Sequence, residues 1–576
     1  MALIFTEETS GECDGLPSRP QYLTVAQTAG VGVAMAEAAE RTFDLTSDSW
    51  IPVMRRGVAE ELSLTDALHD AAEIQLATTD PMEAVAVLRQ VLLPVYWRSM
   101  SPPETEQEWG LRWAGCGRAW PTQSIRRYLR AHRERFELFG KKPFGQVAAL
   151  RTARGDVKTA AILVLSVPVG NSVPLFAART DADPLDLSPA QAMRALLTLQ
   201  CWDTAGVKSG AIDDGQSSAG KAYGNPIGPL GQFGVVVPIG RTLAETLVLN
   251  TPVLPDGLDP DDVPPWESAQ PTGAWTTRAA VGPIDLLTWQ ARRVRLFPRS
   301  AADGRTVVRY AVVTSGDRLS EGANSDELHA MWDETTTAAD RRPIRHQLGR
   351  SLWRELPALL ATSEPSATGV ESSRLLVHLA QHARLRSLPL DTPIHVLSVG
   401  VSYGTMSAVI EDVASDTMAL PLVALLPGSP VRRAVLAIAV EAERLRRAML
   451  SFSNDLRVAA GGRPRPWDTG DDPGETLMYR LTPLADQLLR LLQRRPECAQ
   501  LALRLWRTQA GQLSFEAAAA VFASAPDRAF LGVPQPDSLS GKPGRRLNSS
   551  TAAHRFYHVV TQLLQADDPA DGSLPR

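Results

Sequence analysis

Four amphipathic segments in the C-terminal part of the chain constrain its fold most strongly. Apolar residues recur in each segment at helical spacing, and every break between segments contains glycine or proline. The predicted helices span residues 430–459, 475–494, 497–523 and 548–566. Helices joined by short or moderate connections pack together and bury one face each. The sequence therefore predicts a four-helix bundle within residues 426–576.

The region before the bundle predicts mixed secondary structure. FDLTSDSWIPVMRRG (43–57) alternates apolar and polar residues and ends at Gly57, as a strand before a tight turn does, and Ser63 is expected to cap a helix. Between about 150 and 320, the β-like runs AAILVLSVPV, VVVPI, VRLFP and VVRYAVVTS alternate with the helical segments PAQAMRALLTL and TLAETLVLN. At 576 residues the chain is too long for one core. We predict an α+β fold: an extension over 1–40, a large mixed α/β body over 41–425, and then the bundle.

Composition excludes several classes of protein. The net charge of −5 lacks the global basic excess of many autonomous nucleic-acid binders, so any DNA or RNA contact must be local. The four cysteines are far apart and form no CxxC pair, which argues against a disulfide framework and a structural zinc site. No apolar run approaches the length of a membrane span. These features predict a cytoplasmic protein without a membrane segment or cofactor.

Residues 202–234 form a glycine-rich segment, WDTAGVKSGAIDDGQSSAGKAYGNPIGPLGQFG. Glycines this frequent indicate a backbone that takes positive φ or closely approaches another group. Lys208 and Lys221 lie among them, so a phosphate or a base edge is the expected ligand. The stretch Gly215–Ala222 nearly matches a phosphate-binding loop, but Ala222 stands where a hydroxyl must hold Mg²⁺ and the following residues do not predict a helix.

Other candidate chemistry is weak. His378 and His382, and likewise His554 and His558, are four residues apart on predicted helices, but no third metal ligand is apparent and we interpret them as helix-surface histidines. No nucleophile motif occurs. A binding or scaffolding role is therefore favoured over an enzyme, with no catalytic residues and no metal.

The first bundle helix is rich in arginine. Two interpretations stay open: a solvated face whose arginines pair with Glu441 and Glu443, or a track for a phosphate backbone. The residues concerned are Arg432, Arg433, Arg444, Arg446 and Arg447.

Four segments, in this order and spacing, resemble the large subunit (CasA family) of the type I-E CRISPR Cascade complex. They are FDLTSDSWIPV (43–53), LFGKKPFGQV (138–147), AGVKSGA with GPLGQFGVVVPIGRTLAETLVLN (205–250), and LLTWQARRVRL (286–296). The resemblance implies a non-catalytic subunit of a crRNA-guided antiviral complex. Such a subunit recognises the protospacer-adjacent motif in double-stranded DNA from the minor groove, helps to open the duplex for R-loop formation, and docks the nuclease-helicase. The implied partners are the other Cascade subunits, crRNA, target DNA and that nuclease-helicase.

The resemblance also implies binding residues. The family's glycine loop falls on Thr204, Ala205 and Gly206, followed by Lys208, which is expected to reach a phosphate; the alternative is a tight turn with a surface lysine. A preceding loop places Asn171 and Phe176 as contact residues, although Phe176 is equally compatible with a core position.

A wedge hairpin is implied as well, with strand, turn and strand over 396–413 and a tip at Gly404, Thr405 and Met406. The family's glutamine is missing there, so Met406 or Thr405 is expected to act sterically. Arg318 and Asn324 are the alternatives for a groove-entering lysine that the sequence lacks. Two other functions stay open: a nucleotide-binding enzyme that uses the 206–234 loop, and a protein-interaction scaffold built on the bundle.

Overall fold

A computed structural model describes residues 41–167, 185–320, 327–333, 342–362, 369–464, 472–536 and 543–565. The extension predicted over residues 1–40 lies outside the described residues. Within the ranges described, the α+β prediction is confirmed: several small sheets occupy the body, and long helices follow it. None of the helices in these ranges is both long and apolar enough to cross a membrane.

The strands are β1 Ile51–Arg55, β2 Val58–Leu62, β3 Gln75–Leu76, β4 Lys158–Thr159, β5 Gly206–Ser209, β6 Lys221–Asn225, β7 Val235–Ile239, β8 Thr277–Arg278, β9 Arg292–Ser300, β10 Thr306–Ser315, β11 Arg318–Leu319, β12 Trp332–Asp333, β13 Arg342–Pro343, β14 Val370–Glu371, β15 Ile394–Tyr403, β16 Ile410–Leu420, β17 Val533–Pro536 and β18 Pro543–Leu547. The α-helices are α1 Leu64–His69, α2 Pro81–Val87, α3 Leu93–Met100, α4 Glu106–Gly115, α5 Thr122–Ala131, α6 Pro189–Trp202, α7 Leu243–Leu249, α8 Pro283–Leu287, α9 Leu356–Leu359, α10 Arg374–Leu385, α11 Pro430–Ala459, α12 Pro473–Arg494, α13 Ala499–Ala523, α14 Arg528–Leu531 and α15 Ser549–Gln565.

Two sheets of the body position the glycine-rich segment. In one sheet the strand order is β4-β10-β5-β6, and β9 also pairs with β10. In the other the order is β16-β15-β7, with Ile394 opposite Leu420 at the base of the β15–β16 hairpin. The long antiparallel pairs β9–β10 and β15–β16 are built from the apolar, β-branched runs that the sequence predicted as strands or as the wedge hairpin.

Local signals in the sequence account for several elements. The Ser63 side chain accepts a hydrogen bond from the Asp66 amide at 3.1 Å and caps α1, as predicted. Arg56 and Gly57 both have positive φ and make the two-residue turn between β1 and β2. The strand predicted from residue 43 begins only at Ile51, because Asp44 caps a turn that holds the Thr46 amide at 2.9 Å.

One strand prediction fails for an identifiable reason. The run AAILVLSVPV, predicted as a strand, starts instead with a 3₁₀ turn over Ala160–Leu163, since its apolar residues do not alternate and three of them are buried together. Farther upstream, α2 continues through a π-helical turn over Leu88–Leu92 into α3, whose second residue is Pro94, which has no N–H.

The bundle helices agree closely with the sequence prediction. α11 contacts α12, α13 and α15, and α13 contacts both α12 and α15. The glycine- and proline-rich break before α15 is not a simple loop, because α14 and the β17–β18 hairpin occupy part of it. The body meets the bundle through Trp353, which is buried and contacts Trp506 edge-on with ring centroids 6.1 Å apart. Buried apolar residues of both parts form one continuous core, so the expectation that a chain of this length needs more than one core is wrong.

Candidate nucleic-acid interface

The loop over residues 204–206 and the tip of the β15–β16 hairpin, residues 404–407, are far apart in sequence but lie side by side. The backbone amide of Ala205 donates a hydrogen bond to the carbonyl of Ser407 in the tip at 2.9 Å. At the end of β15 that leads into the tip, the Tyr403 hydroxyl donates to the carbonyl of Trp202 at 2.7 Å. The two contacts bracket the loop, so its position is fixed relative to the tip. The structure therefore brings together Thr204, Ala205, Gly206, Gly404, Thr405 and Met406.

A buried ionic cluster holds the loop from below. The carboxylate of Asp203 pairs with the guanidinium of Arg292 and with the ammonium of Lys208, the latter at 2.7 Å. Arg292 also donates to the carbonyls of Thr204 and Pro226, each at 2.9 Å. Arg292 belongs to the WQARRVRL segment that carried the family resemblance. Its side chain thus connects strand β9 to the backbone just before β5 and just after β6.

Electrostatics favours the ionised form of Asp203. Burial raises the pKa of this carboxyl, but attraction by Arg292 and Lys208 outweighs burial and holds the pKa below its usual range. Burial lowers the pKa of Lys208 more strongly than Asp203 raises it. The cluster is therefore a structural brace that depends on the Asp203 charge.

Lys208 does not extend toward solvent as a phosphate contact would. Its side chain is 17% exposed and its ammonium group is bound by Asp203. In this conformation the lysine stabilises the loop through its ion pair with Asp203. Its direct contact with a DNA phosphate stays a prediction.

The segment's glycines accommodate the protein's own elements. A Cβ atom on Gly231 would lie 2.3 Å from the Tyr403 hydroxyl, so only glycine admits the side chain that anchors the hairpin. Gly206 has φ +123°, a conformation that other residues rarely adopt, at the point where the loop enters β5. The expectation of close approach and positive φ is confirmed, but the group approached at Gly231 is the hairpin and not a ligand.

The phosphate-loop interpretation fits poorly. Lys221–Asn225 is strand β6 and not a helix, so no helix N-terminus faces the Gly215–Ala222 stretch. Ala222 is fully buried.

The hairpin tip presents an apolar side chain to solvent. Met406 is 88% exposed and has φ +56°, within a single 3₁₀ turn over Thr405–Ser407. Gly404 closes the tip by donating its amide hydrogen to the carbonyl of Val409 at 2.9 Å. Exposure of so large an apolar group in a rigid turn is compatible with insertion between base pairs.

The structure adds two residues that the sequence did not single out, and it places them beside Lys221, which the sequence did. Val207 on β5 is 54% exposed, and so is Tyr223 on the neighbouring strand β6. Lys221 is exposed two residues from Tyr223 and therefore on the same face of the strand. In the sequence, the only sign of this surface was the alternation of polar and apolar residues in KAY (221–223). That pattern is too short to distinguish a binding surface from any other exposed strand.

A family model described as CRISPR-associated protein Cse1 matches residues 44–517. The chain belongs to the Cse1 family. A curated CRISPR-associated protein CasA/Cse1 from Thermus thermophilus is 32% identical over 322 residues, which cover 55% of this chain and 60% of that relative's length. The crystal structure of Cse1 from Acidimicrobium ferrooxidans superposes with a TM-score of 0.76 at 26% identity, covering 92% of this chain and 100% of that one. At 20% identity, a chain of a structure titled CRISPR RNA-guided surveillance complex has the same fold, with a TM-score of 0.63 and coverage of 84% and 99%.

The arginine-rich helix of this Cse1-family chain divides into two sets. Arg432 donates to the carbonyls of Ala424 and Leu360, and Arg446 binds Glu443 at 2.7 Å, so both are engaged within the protein. The other three are exposed and lie on one face of α11; we call them the arginine face, Arg433, Arg444 and Arg447. Of these, Arg433 also donates to the carbonyl of Gly428 at 2.9 Å. The first and last are separated by about 21 Å along the helix. The pairing predicted for Glu441 is wrong, because Glu441 binds Arg507 of α13.

Two further predicted contacts lie outside the described residues, namely Asn171 and Phe176. The same holds for Asn324. Arg318, the alternative to Asn324, stacks over the Trp275 ring at 3.6 Å and donates to the carbonyl of Tyr223 at 2.6 Å. Arg318 thus supports strand β6 beneath the exposed Tyr223.

Proposed function

We propose that this Cse1-family chain is the subunit of a crRNA-guided antiviral surveillance complex that recognises the protospacer-adjacent motif in double-stranded DNA. The reading surface comprises Thr204, Ala205 and Gly206 of the loop, with Asn171 and Phe176 as additional contacts implied by the family resemblance. The observation that carries the proposal is the hydrogen bond from the Ala205 amide to the Ser407 carbonyl. It joins the proposed motif reader directly to the proposed strand-separating tip.

The loop is suited to the minor groove. Small residues let the chain approach base edges that a large side chain would block. The minor groove distinguishes A·T from G·C pairs but little more, so tolerance of several motifs is expected. Tyr223 and Lys221 on β6 offer a hydrogen-bonding and a cationic group beside the loop.

Duplex opening follows motif binding in this scheme. When the loop is seated, the tip is held next to the adjoining base pairs, and Met406 or Thr405 enters between them while Gly404 allows the turn. Unstacking costs a few kcal/mol per step, which apolar insertion partly offsets. Base pairing with crRNA then completes the R-loop.

The remaining roles concern partners. The arginine face is proposed to follow a phosphate backbone, and the exposed parts of the chain are proposed to contact the other Cascade subunits, crRNA and the nuclease-helicase. The chain itself is proposed to carry no catalytic activity, so cleavage belongs to the docked nuclease-helicase. Chain organisation is proposed as predicted, with the body ending at about residue 425.

A gel-shift titration tests motif recognition. Target duplexes with a correct or a scrambled adjacent motif are titrated with a crRNA complex reconstituted with and without this protein. We expect the protein to restore tight binding only when the motif is correct. Equal binding to both duplexes would contradict the proposal.

A variant separates a DNA reader from a scaffold. Ala205→Leu places a larger side chain on the loop and should weaken binding of motif-bearing duplex at least tenfold without disturbing assembly of the complex. Ala302→Leu, at an exposed turn between β9 and β10, is the matched control and should leave binding unchanged. A scaffold would tolerate both substitutions equally.

A further inference from the structure

A cluster of three potential metal ligands lies where α4 meets α10. His378 and His382 are one turn apart on α10, and Glu106 is the first residue of α4. One ligand atom from each of the three residues lies within 4.8 Å of the others. The sequence offered no third ligand for this histidine pair. Tertiary structure supplies it from a distant part of the chain.

Each residue of the cluster has a buried polar atom without a hydrogen-bond partner. His378 Nδ1, His382 Nε2 and Glu106 Oε2 are buried, and none of them makes a hydrogen bond. Glu106 Oε2 lies 3.1 Å from His382 Nδ1, but the groups are not aligned as a hydrogen bond. Buried polar atoms are rarely left without a partner, so a bound cation is a direct way to satisfy all three.

The surroundings hold these groups in place. The His382 ring has no exposed surface and stacks on Trp109 with ring centroids 3.7 Å apart. Its Nδ1 lies 2.9 Å from the Ser387 hydroxyl, and Gln381 donates to Glu106 Oε1 at 2.6 Å. Hydrogen bonds of this kind orient ligands around metals in proteins. The prediction that His382 is a surface histidine is wrong, because α10 turns this side chain into the core.

We propose that Glu106, His378 and His382 bind one divalent transition-metal ion, with Zn²⁺ as the ion that this donor set fits. Two imidazoles and one carboxylate are a common protein ligand set for Zn²⁺, with water in the fourth position. The ion would cross-link α4 to α10 inside the body. This site is separate from the proposed DNA surface.

Metal binding is measured on untagged, full-length protein. After dialysis against a weak chelator, we expect about one Zn²⁺ per chain, and substitution with Co²⁺ should give visible absorption bands of a low-symmetry site. Glu106→Gln and His378→Gln should each weaken Zn²⁺ affinity at least tenfold in competition with a fluorescent chelator. Both keep a polar side chain of similar size, and circular dichroism verifies that each variant is folded.

The second histidine pair provides the control. His554 and His558 are exposed on α15 and belong to no metal-ligand cluster among the described residues, so the double variant His554→Gln/His558→Gln should retain its Zn²⁺ affinity. Absence of stoichiometric Zn²⁺ in the wild-type protein would overturn the proposal. Equal affinity in the wild type and the two cluster variants would also overturn it, since it would assign the bound ion to other surface groups.

Discussion

Met406 offers a direct test of the strand-opening step. Replacing it by alanine removes a side chain that is 88% exposed and leaves the backbone contacts of the tip in place. The free energy of unfolding should therefore change by less than about 0.5 kcal/mol. Any larger effect on DNA opening has to arise from contacts made with the duplex.

The size of the effect follows from the exposed surface. Burying a methionine side chain completely is worth about 1.5–3 kcal/mol. Because nearly all of the Met406 side chain is exposed and alanine retains the Cβ atom, we expect a loss of about 1 to 2.5 kcal/mol. At about 1.4 kcal/mol per factor of ten, the open complex should become about 5- to 60-fold less favourable.

Fluorescence of 2-aminopurine reports the opening directly. The probe is placed in the first base pair next to the motif, and the reconstituted complex is titrated with this duplex. Val58→Ala, at the exposed first residue of β2 and remote in sequence from the hairpin, is the control for loss of an exposed apolar side chain. A duplex that is mismatched at the first base pairs needs no opening, so the Met406→Ala complex should bind it as tightly as the wild-type complex does. An equal defect on the mismatched duplex, or no defect on the paired one, would refute the wedge role.

Three further predictions concern the brace, the bundle and pH. Asp203→Asn leaves the cations of Arg292 and Lys208 buried without their counter-ion, so urea denaturation should show a loss of about 3–5 kcal/mol; a loss below about 1 kcal/mol would contradict the brace. Replacing all three residues of the arginine face by glutamine should make the negative slope of log affinity against log salt shallower by up to about 2.7, at about 0.9 per phosphate contact. An unchanged slope would exclude contacts between this face and DNA phosphates. Burial, with Arg89, lowers the pKa of His329 to about 4 in the folded chain, so the contribution of the neutral ring to stability is present above pH 6.5 and is lost as the pH falls toward 4, by up to about 1.4 kcal/mol per pH unit. His329→Gln should make the urea midpoint less dependent on pH between about pH 7 and pH 4.5. An equally steep profile in the variant would show that His329 does not cause the pH dependence.

Much of the fold could be predicted because its signals are local. Helical periodicity and the glycine- or proline-containing breaks set the four bundle helices to within a few residues. Ser63 predicted the start of α1, because its hydroxyl accepts a hydrogen bond from the amide of Asp66 three residues later. Gly57 marked the β1–β2 turn for the same reason, since the conformation of a two-residue turn depends on the residues within it. Such features need no knowledge of the rest of the chain.

The candidate site was predictable only in part. The sequence located the glycine-rich loop and the hairpin, but not their contact through Ala205 and Ser407. It suggested that Lys208 faces a phosphate, whereas the structure pairs its ammonium group with Asp203. A lysine beside glycines looks the same in sequence whether its partner is a ligand or a buried carboxylate.

The chain's own order of residues thus determined its elements: where helices begin, where turns fall, and which runs form the long hairpins. Tertiary structure alone decided which groups meet, including Arg292 with the loop carbonyls, Tyr403 with Gly231, and Glu106 with the α10 histidines. The physical reason is range. Capping and periodicity act over a few residues along the backbone, whereas a buried ion pair or a metal-ligand set joins groups whose separation in sequence carries no information about their distance in space.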